Sequence, residues 1–122
     1  MRVLVADDDR TLTHILSATF VKRGWEAKEA LDAMQALMLA KQVPRPDLIL
    51  LDINMPGGTG LMTLERLKAS SLTASIPVVV VTGSNDPDAP KEAKKLGAIG
   101  FVKKPVDPEK LARAIEQFLK DH

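Results

Sequence analysis

An α/β fold, in which a doubly wound parallel sheet carries helices on both faces, is predicted by the order of apolar and amphipathic segments. Five short apolar runs alternate with five amphipathic stretches along the 122 residues, and this βα order is typical of parallel sheets. Residues 48–51 read Leu-Ile-Leu-Leu, as expected of a strand that is covered on both faces. A chain of this length corresponds to one ordinary domain, so we expect one domain over residues 1–122.

The first two strand and helix pairs are predicted before residue 47. Residues 3–6 and 25–29 predict strands, Gly24 suits the end of the first helix, and Pro44 and Pro46 end the second helix. The apolar stripe expected on the first helix consists of Leu12, Ile15, Leu16 and Phe20. The second helix should carry Ala33, Leu37 and Ala40, with Met34 and Met38 beside them as fillers of the core.

The third and fourth pairs follow the apolar run at residues 48–51. A glycine loop at Gly57, Gly58 and Gly60 precedes a third helix, whose stripe is Leu61, Leu64 and Leu67. Residues 77–81 are the most strand-like segment of the chain. A polar loop over residues 83–87 then leads to a short helix that ends at Leu96 and Gly97.

The fifth pair contains the clearest helix. Phe101 and Val102 mark the last strand. Asp107 is a good N-cap, and Pro108 suits the first helical position. The expected apolar stripe of this helix is Leu111, Ala114, Ile115, Phe118 and Leu119.

Composition excludes several classes of function. The formal net charge of +1 and the aromatic content of 3% argue against direct nucleic-acid binding, which needs a basic surplus or stacking side chains. The chain has no Cys, which excludes disulfides and thiolate sites and fits a cytoplasmic location. No apolar run is long enough for a membrane span, and residues 1–6 are too short for a signal peptide.

Polar residues follow four of the predicted strands. Asp7, Asp8 and Asp9 come after the first strand, Asp52 after the third, Thr82 after the fourth, and Lys103 and Lys104 after the fifth. In a parallel sheet these strand ends meet at one edge, where ligands bind. Crowded carboxylates would bind Mg²⁺, and a carboxylate can form an aspartyl phosphate. A metal ion, an ammonium and a hydroxyl would each stabilise the charge on a transferring phosphoryl group.

Each of these residues alone has a simpler explanation. Asp9 by itself is better explained as a helix N-cap, Thr82 as a strand residue, and Lys104 as a solvated charge. Their combination, with each residue type at the correct end of the correct strand, is what indicates a functional site.

Four segments make the sequence resemble the receiver domain of response regulators over nearly its whole length. They are residues 5–9 (Val-Ala-Asp-Asp-Asp), 46–56 (Pro-Asp-Leu-Ile-Leu-Leu-Asp-Ile-Asn-Met-Pro), 80–83 (Val-Val-Thr-Gly) and 97–105 (Gly-Ala-Ile-Gly-Phe-Val-Lys-Lys-Pro). The resemblance implies a flavodoxin-like (βα)5 fold of strand order 2-1-3-4-5. It also implies a signalling switch that catalyses its own phosphoryl transfer and dephosphorylation, rather than an enzyme acting on other substrates.

The resemblance assigns a role to each matching residue. Asp52 would accept the phosphoryl group from a phosphohistidine, and Thr82 and Lys104 would contact the phosphate. The implied Mg²⁺ ligands are Asp7, Asp8, Asp52 and the backbone carbonyl of Asn54. Phe101 would turn inward with Thr82, and the Lys104–Pro105 peptide bond would be cis.

The resemblance also implies partners. A sensor histidine kinase or a histidine phosphotransfer domain would supply the phosphoryl group. The output surface is indicated by the fourth helix itself, in which only Ala89, Ala93 and Leu96 can pack, so that its local opening should be easy. We therefore expect the face made by helix 4, strand 5 and helix 5 to bind an unidentified output partner or a second copy of the chain in a homodimer. Neither nucleic acid nor a membrane is expected as a direct partner of this chain.

Two positions depart from the usual pattern of the family. Thr59 stands where the family usually has an acid, and Asn54 occupies a variable position at which it could orient or block the hydrolytic water.

Three rival functions fit the sequence less well. An aspartyl-nucleophile phosphatase would need a second acid at Asn54. A flavodoxin-like cofactor binder would not place acids at residues 7–9. A degenerate receiver that only docks partners would not need the complete set of polar residues.

Overall fold

The computed structural model describes residues 1–57 and 61–122. Five strands in these residues form one parallel sheet of order β2-β1-β3-β4-β5. The strands are β1 (Arg2–Ala6), β2 (Glu26–Ala30), β3 (Leu48–Leu51), β4 (Val78–Thr82) and β5 (Gly100–Lys103). The predicted fold class and the strand order implied by the resemblance are therefore confirmed.

Helices cover both faces of the sheet. They are α1 (Arg10–Lys22), α2 (Ala33–Lys41), α3 (Met62–Ala69), α4 (Ala89–Lys95) and α5 (Pro108–Asp121). Successive strand residues point to opposite faces, so Leu4 and Ile49 pack with α2, α3 and α4, whereas Val3 and Leu50 pack with α1 and α5. The result is a three-layer arrangement with a separate apolar core on each side of the sheet.

Aspartate N-caps begin three of these helices. The Asp9 side chain accepts a hydrogen bond from the Leu12 amide, Asp32 from the Gln35 amide and Asp107 from the Lys110 amide. The caps at Asp9 and Asp107 follow the sequence prediction, whereas Asp32 was not predicted. At the other end of α1, Gly24 has a φ of 91°, a left-handed conformation that glycine adopts without steric cost.

Several residues predicted to be in the core lie on the surface instead. Ile15 is 45% exposed, Met34 78% and Met38 61%, and Ala114 of α5 is also exposed. Helix α2 packs on the sheet through a face made of its buried alanines. The two methionines lie outside this face and are exposed to solvent. On α1 and α5 the buried faces carry other small residues, among them Thr13, Ser17 and Ala112.

Contacts between residues distant in sequence join the end of α1 and the start of β2 to α5. The Trp25 indole nitrogen donates to Oε2 of Glu116 at 3.0 Å, and the Arg23 guanidinium forms ion pairs with Glu109 and Glu116. The pKa of Glu116 is lowered, mainly by its hydrogen bond with Arg23. Trp25 itself is only 6% exposed.

The Val43–Pro44 and Lys104–Pro105 peptide bonds are cis. The positions of Gly58, Thr59 and Gly60, including part of the predicted glycine loop, lie outside the described residues. Across residues 1–57 and 61–122, no helix has both the length and the apolar character that crossing a membrane requires.

Candidate phosphoryl-transfer site

Four strand ends bring the predicted site residues to one edge of the sheet. The Asp52 amide donates to the carbonyl of Ala6 at 2.8 Å, which fixes the end of β3 against the end of β1. The Lys104 amide donates to the carbonyl of Thr82 at 2.9 Å, which joins the ends of β5 and β4 in the same way. Asp7, Asp52, Thr82 and Lys104 therefore surround one small region at the carboxyl ends of the strands.

The polar groups at this edge are unusually well buried. Asp7 is 3% exposed, Asp52 5% and Thr82 0%. Carboxylates are rarely buried to this extent unless they are paired, because removing a charge from water is costly. Two buried acids that end neighbouring strands therefore call for compensation by a cation.

The same local turn orients three of the four side chains. Asp7 Oδ1 accepts from the Asp9 amide at 2.9 Å, and Asp52 Oδ1 accepts from the Asn54 amide at 2.9 Å. Thr82 Oγ1 accepts from the Ser84 amide at 3.3 Å. In each case a side-chain oxygen binds the backbone N–H two residues on, as in Asx and Ser/Thr turns, so each strand end sets the direction of its own functional group.

Lys104 supplies the compensating charge. Its ammonium nitrogen lies 2.7 Å from Oδ2 of Asp7 and 3.1 Å from Oδ2 of Asp52, and its side chain is 24% exposed. Lys103, which pairs in register with Thr82 on β4, is exposed. The structure thus separates the two adjacent lysines and brings Lys104 to the acids.

Burial and charge shift the pKa values of this cluster. Burial raises the pKa of Asp7 above its ordinary value of 3.8, and the charge of Asp52 adds to this, although the hydrogen bond with Lys104 opposes it. For Lys104, burial acts to lower the pKa, but the hydrogen bonds and charges of Asp7 and Asp52 outweigh it and the pKa is raised above 10.5. Burial, rather than repulsion from Asp52, is thus the main cause of the raised pKa of Asp7.

Three of the acids could hold a metal ion together. One carboxylate oxygen from each of Asp7, Asp8 and Asp52 lies within 4.8 Å of the other two, and Asp8 is the exposed member of the set. Oxygen ligands of this kind suit a hard divalent cation such as Mg²⁺, which keeps several waters. The donor set therefore fits Mg²⁺, with Asp8 on the solvent side.

Two further residues border the site. The Asn54 side-chain nitrogen donates to Thr82 Oγ1 at 3.2 Å, a contact between residues 28 positions apart that the sequence did not reveal. Phe101 is half-buried and packs against the core on the α2, α3 and α4 side. Its position on β5 opposite Val80 places it next to the strand that carries Thr82.

Comparison with known proteins identifies the family of this chain. The sequence profile of the response regulator receiver domain matches residues 3–116. Sporulation initiation phosphotransferase F of Bacillus subtilis (strain 168) is 32% identical over 118 residues, which cover 97% of this chain and 93% of that protein. Protein PilH of Pseudomonas aeruginosa is 34% identical over 118 residues, which cover 97% of each chain.

A solved structure of similar sequence has the same architecture. The chemotaxis response regulator CheY4 of Vibrio cholerae superposes with a TM-score of 0.85 at 31% identity, covering 95% of this chain and 96% of that chain. Profile, sequence and architecture thus agree over nearly all of the residues. The chain belongs to the response regulator receiver domain family, whose members are signalling domains of two-component systems.

Proposed function

We propose that this chain is a phosphoryl-accepting switch in which Asp52 takes a phosphoryl group from a phosphohistidine. The observation that carries the proposal is the convergence of Asp7, Asp52, Thr82 and Lys104 at one edge of the sheet, with Lys104 bonded to both acids. A structural ion pair alone would not require the third acid, Asp8, within reach of the same two carboxylates.

The transfer is a displacement at phosphorus. A carboxylate oxygen of Asp52 forms a bond to phosphorus as the bond to the histidine nitrogen breaks, and the leaving imidazole keeps that electron pair. The product is an acyl phosphate on Asp52. Lys104, already 3.1 Å from Oδ2 of Asp52, and the Thr82 hydroxyl are the groups of this chain that would stabilise the phosphoryl oxygens.

Mg²⁺ is the metal that the acids would hold. Asp7, Asp8, Asp52 and the backbone carbonyl of Asn54 are the proposed ligands, and the ion would neutralise charge on the phosphoryl oxygens when bound. The ammonium of Lys104, which now faces both buried carboxylates, would then be available to the phosphate.

Phosphorylation would act on the surface formed by α4, β5 and α5. A phosphate adds about −1.5 to −2 charges at Asp52, which would draw Thr82 and Lys104 toward it, with Phe101 following. Helix α4 buries only Ala89 and Ala93, and its N-cap residue makes no side-chain hydrogen bond. Weak anchoring of this kind gives a low free energy of local opening, so we expect a shift between two packings rather than a new fold.

Partners follow from this role. Receiver domains in two-component systems work with histidine kinases and output domains, and for this chain we propose a histidine kinase or a phosphotransfer domain as the phosphoryl donor. The partner on the output side would bind the α4, β5 and α5 surface, either as another protein or as a second copy of this chain.

Intact mass measurement tests the proposed acceptor. The protein is incubated with Mg²⁺ and acetyl phosphate, a small phosphodonor, and one phosphate adduct is expected. Asp52→Asn should remove the adduct. Asp121→Asn, which makes the same change at an exposed acid near the end of α5, should keep it. An adduct that persists in Asp52→Asn would overturn the assignment of the acceptor.

A further inference from the structure

We propose that the side chain of Asn54 holds the Thr82 hydroxyl in its resting position, so that Asn54 sets the equilibrium between the resting and the phosphorylated arrangement of the domain. The inference rests on the proposed function and names a positioning residue for it. Its basis is one hydrogen bond, which the Asn54 side-chain nitrogen donates to Thr82 Oγ1 at 3.2 Å. The backbone amide of Asn54 also donates to Asp52, the proposed acceptor.

Asn54 connects the proposed acceptor, Asp52, to the Thr82 hydroxyl. Its backbone amide donates to Oδ1 of Asp52, and its side chain donates to Thr82. Both bonds come from one residue, so the position of Asn54 depends on the acceptor while the position of Thr82 depends on Asn54. A phosphoryl group on Asp52 would change the oxygen that the Asn54 amide binds, and the change would reach Thr82 through the carboxamide.

The hydrogen-bonding capacity of Thr82 explains why this contact fixes the hydroxyl. A threonine hydroxyl has two acceptor lone pairs and one hydrogen. The Asn54 carboxamide takes one lone pair at 3.2 Å and the Ser84 amide takes the other at 3.3 Å. The Asn54 NH₂ group and the Ser84 N–H can only donate, so the hydroxyl hydrogen of Thr82 must point away from both of them. Moving Thr82 toward a phosphate breaks or bends both bonds.

Burial makes the Asn54 contact matter more to Thr82 than to Asn54. Thr82 is 0% exposed, so its oxygen cannot exchange a lost partner for water, whereas Asn54 is exposed and can. A buried hydroxyl that loses a partner is destabilised. Removing the carboxamide therefore weakens the resting position of Thr82 while leaving the backbone bond to Asp52 in place.

The test compares wild type with Asn54→Leu, which keeps a side chain of similar size but has no hydrogen-bonding group. Three-bond couplings to the Thr82 methyl carbon in the unphosphorylated protein give the populations of its rotamers. Because a typical hydrogen bond contributes modestly to stability, we expect the ratio of the alternative to the resting rotamer to rise about threefold to tenfold. Equal rotamer populations in the two proteins would overturn the inference.

Hydrogen exchange over residues 83–104, without phosphodonor, gives a second measurement. When Thr82 is present, Asn54→Leu should speed the exchange of residues 83–104. When Thr82 is replaced by valine, which lacks the hydroxyl and has nearly the same shape, Asn54→Leu should have no effect. An equal effect in both backgrounds would mean that Asn54 acts through general stability, and would also overturn the inference.

These outcomes are separate from those of the proposed function. The rotamer and exchange measurements use resting protein, whereas the acceptor assignment depends on a phosphate adduct. If wild type takes up phosphate and Asn54→Leu leaves Thr82 unchanged, only the role of Asn54 fails. If Thr82 responds to Asn54→Leu but no adduct forms on wild type, the contact is real and the proposed function fails.

Discussion

The ammonium nitrogen of Lys104 lies 2.7 Å from Oδ2 of Asp7, closer than the 3.1 Å that separates it from Oδ2 of Asp52. One cation is thus shared by two buried carboxylates that follow different strands. The arrangement couples stability to chemistry, because the group proposed to bind the phosphate also offsets the charge of the acids in the resting protein.

Lys104→Met should destabilise the protein. The substitution keeps an apolar chain of similar length but leaves two buried carboxylates without their cation. Breaking a fully buried pair costs about 3–5 kcal/mol. Because the Lys104 side chain is 24% exposed, we expect about 2 kcal/mol in urea unfolding at pH 7. Lys103→Met, at the exposed neighbouring position, is the control and should change little; equal losses in the two variants would argue against the shared cation.

Asp7→Asn should stabilise the protein at pH 7 in chelator. Since the pKa of Asp7 is raised above 3.8, the folded state holds this proton more tightly than the unfolded state. That stabilisation is complete below pH 3.8 and is lost as the pH rises through the raised pKa. The advantage of the amide should therefore shrink as the pH falls from 7 toward 4. Melting curves across this range check the sign, and a constant difference would contradict it.

Magnesium should stabilise the wild type. Binding to the folded state alone adds RT ln(1 + [Mg²⁺]/Kd), which is about 1.4 kcal/mol at ten times Kd. Melting curves in chelator and in millimolar Mg²⁺ measure this gain, and most of it should disappear in Asp8→Asn. That variant removes the exposed acid of the cluster and leaves the pairs between Lys104 and the buried acids intact. A wild-type curve that Mg²⁺ does not move would exclude a metal site here.

Helix α4 should show the largest phosphorylation-dependent change in hydrogen exchange. Its buried anchors are the two alanines Ala89 and Ala93, and Leu96 just beyond it is half-buried, so its amides should exchange early. Beryllofluoride, as a phosphate mimic, should alter protection from residue 83 to residue 104. The strand β1 serves as the internal reference, and unchanged protection throughout residues 83–104 would contradict the proposed output surface.

The methionines of α2 should be dispensable for stability. Met34 and Met38 are 78% and 61% exposed, so Met34→Ser and Met38→Ser should each shift the free energy of unfolding by less than about 0.5 kcal/mol. Met55 is 4% exposed, and Met55→Ala should cost about 2–5 kcal/mol. Urea unfolding of the three variants makes the comparison, and a large loss at either exposed position would show that it packs against something.

Local signals in the sequence predicted the five strands and two of the three aspartate caps. The runs that became β3 and β4 are continuously apolar, and Asp107 followed by Pro108 marks the start of α5. The edge at which the polar residues meet could also be predicted, because a parallel sheet places all its carboxyl ends together. The positions of the strand ends in the sequence were therefore enough to predict that Asp52 and Lys104 share one site.

Side-chain partners could not be predicted in the same way. The contact between Asn54 and Thr82 spans 28 residues and that between Trp25 and Glu116 spans 91, and neither leaves a periodic signal. On α2, alanine, leucine and methionine surround most of the helix, so apolar spacing did not decide which face packs on the sheet. Close approach through Ala36 and Ala40 decided it.

Four consecutive valines and a threonine make up β4, and every one of them is buried. A short, uncharged, β-branched segment without proline is also the kind that forms amyloid-like aggregates when it is exposed. Its two neighbours, β3 and β5, lie on either side of it in sequence, so one edge of β4 stays uncovered until residues 100–103 have been synthesised and have folded. A partly made or truncated chain that stops before β5 would therefore expose the edge of an aggregation-prone strand.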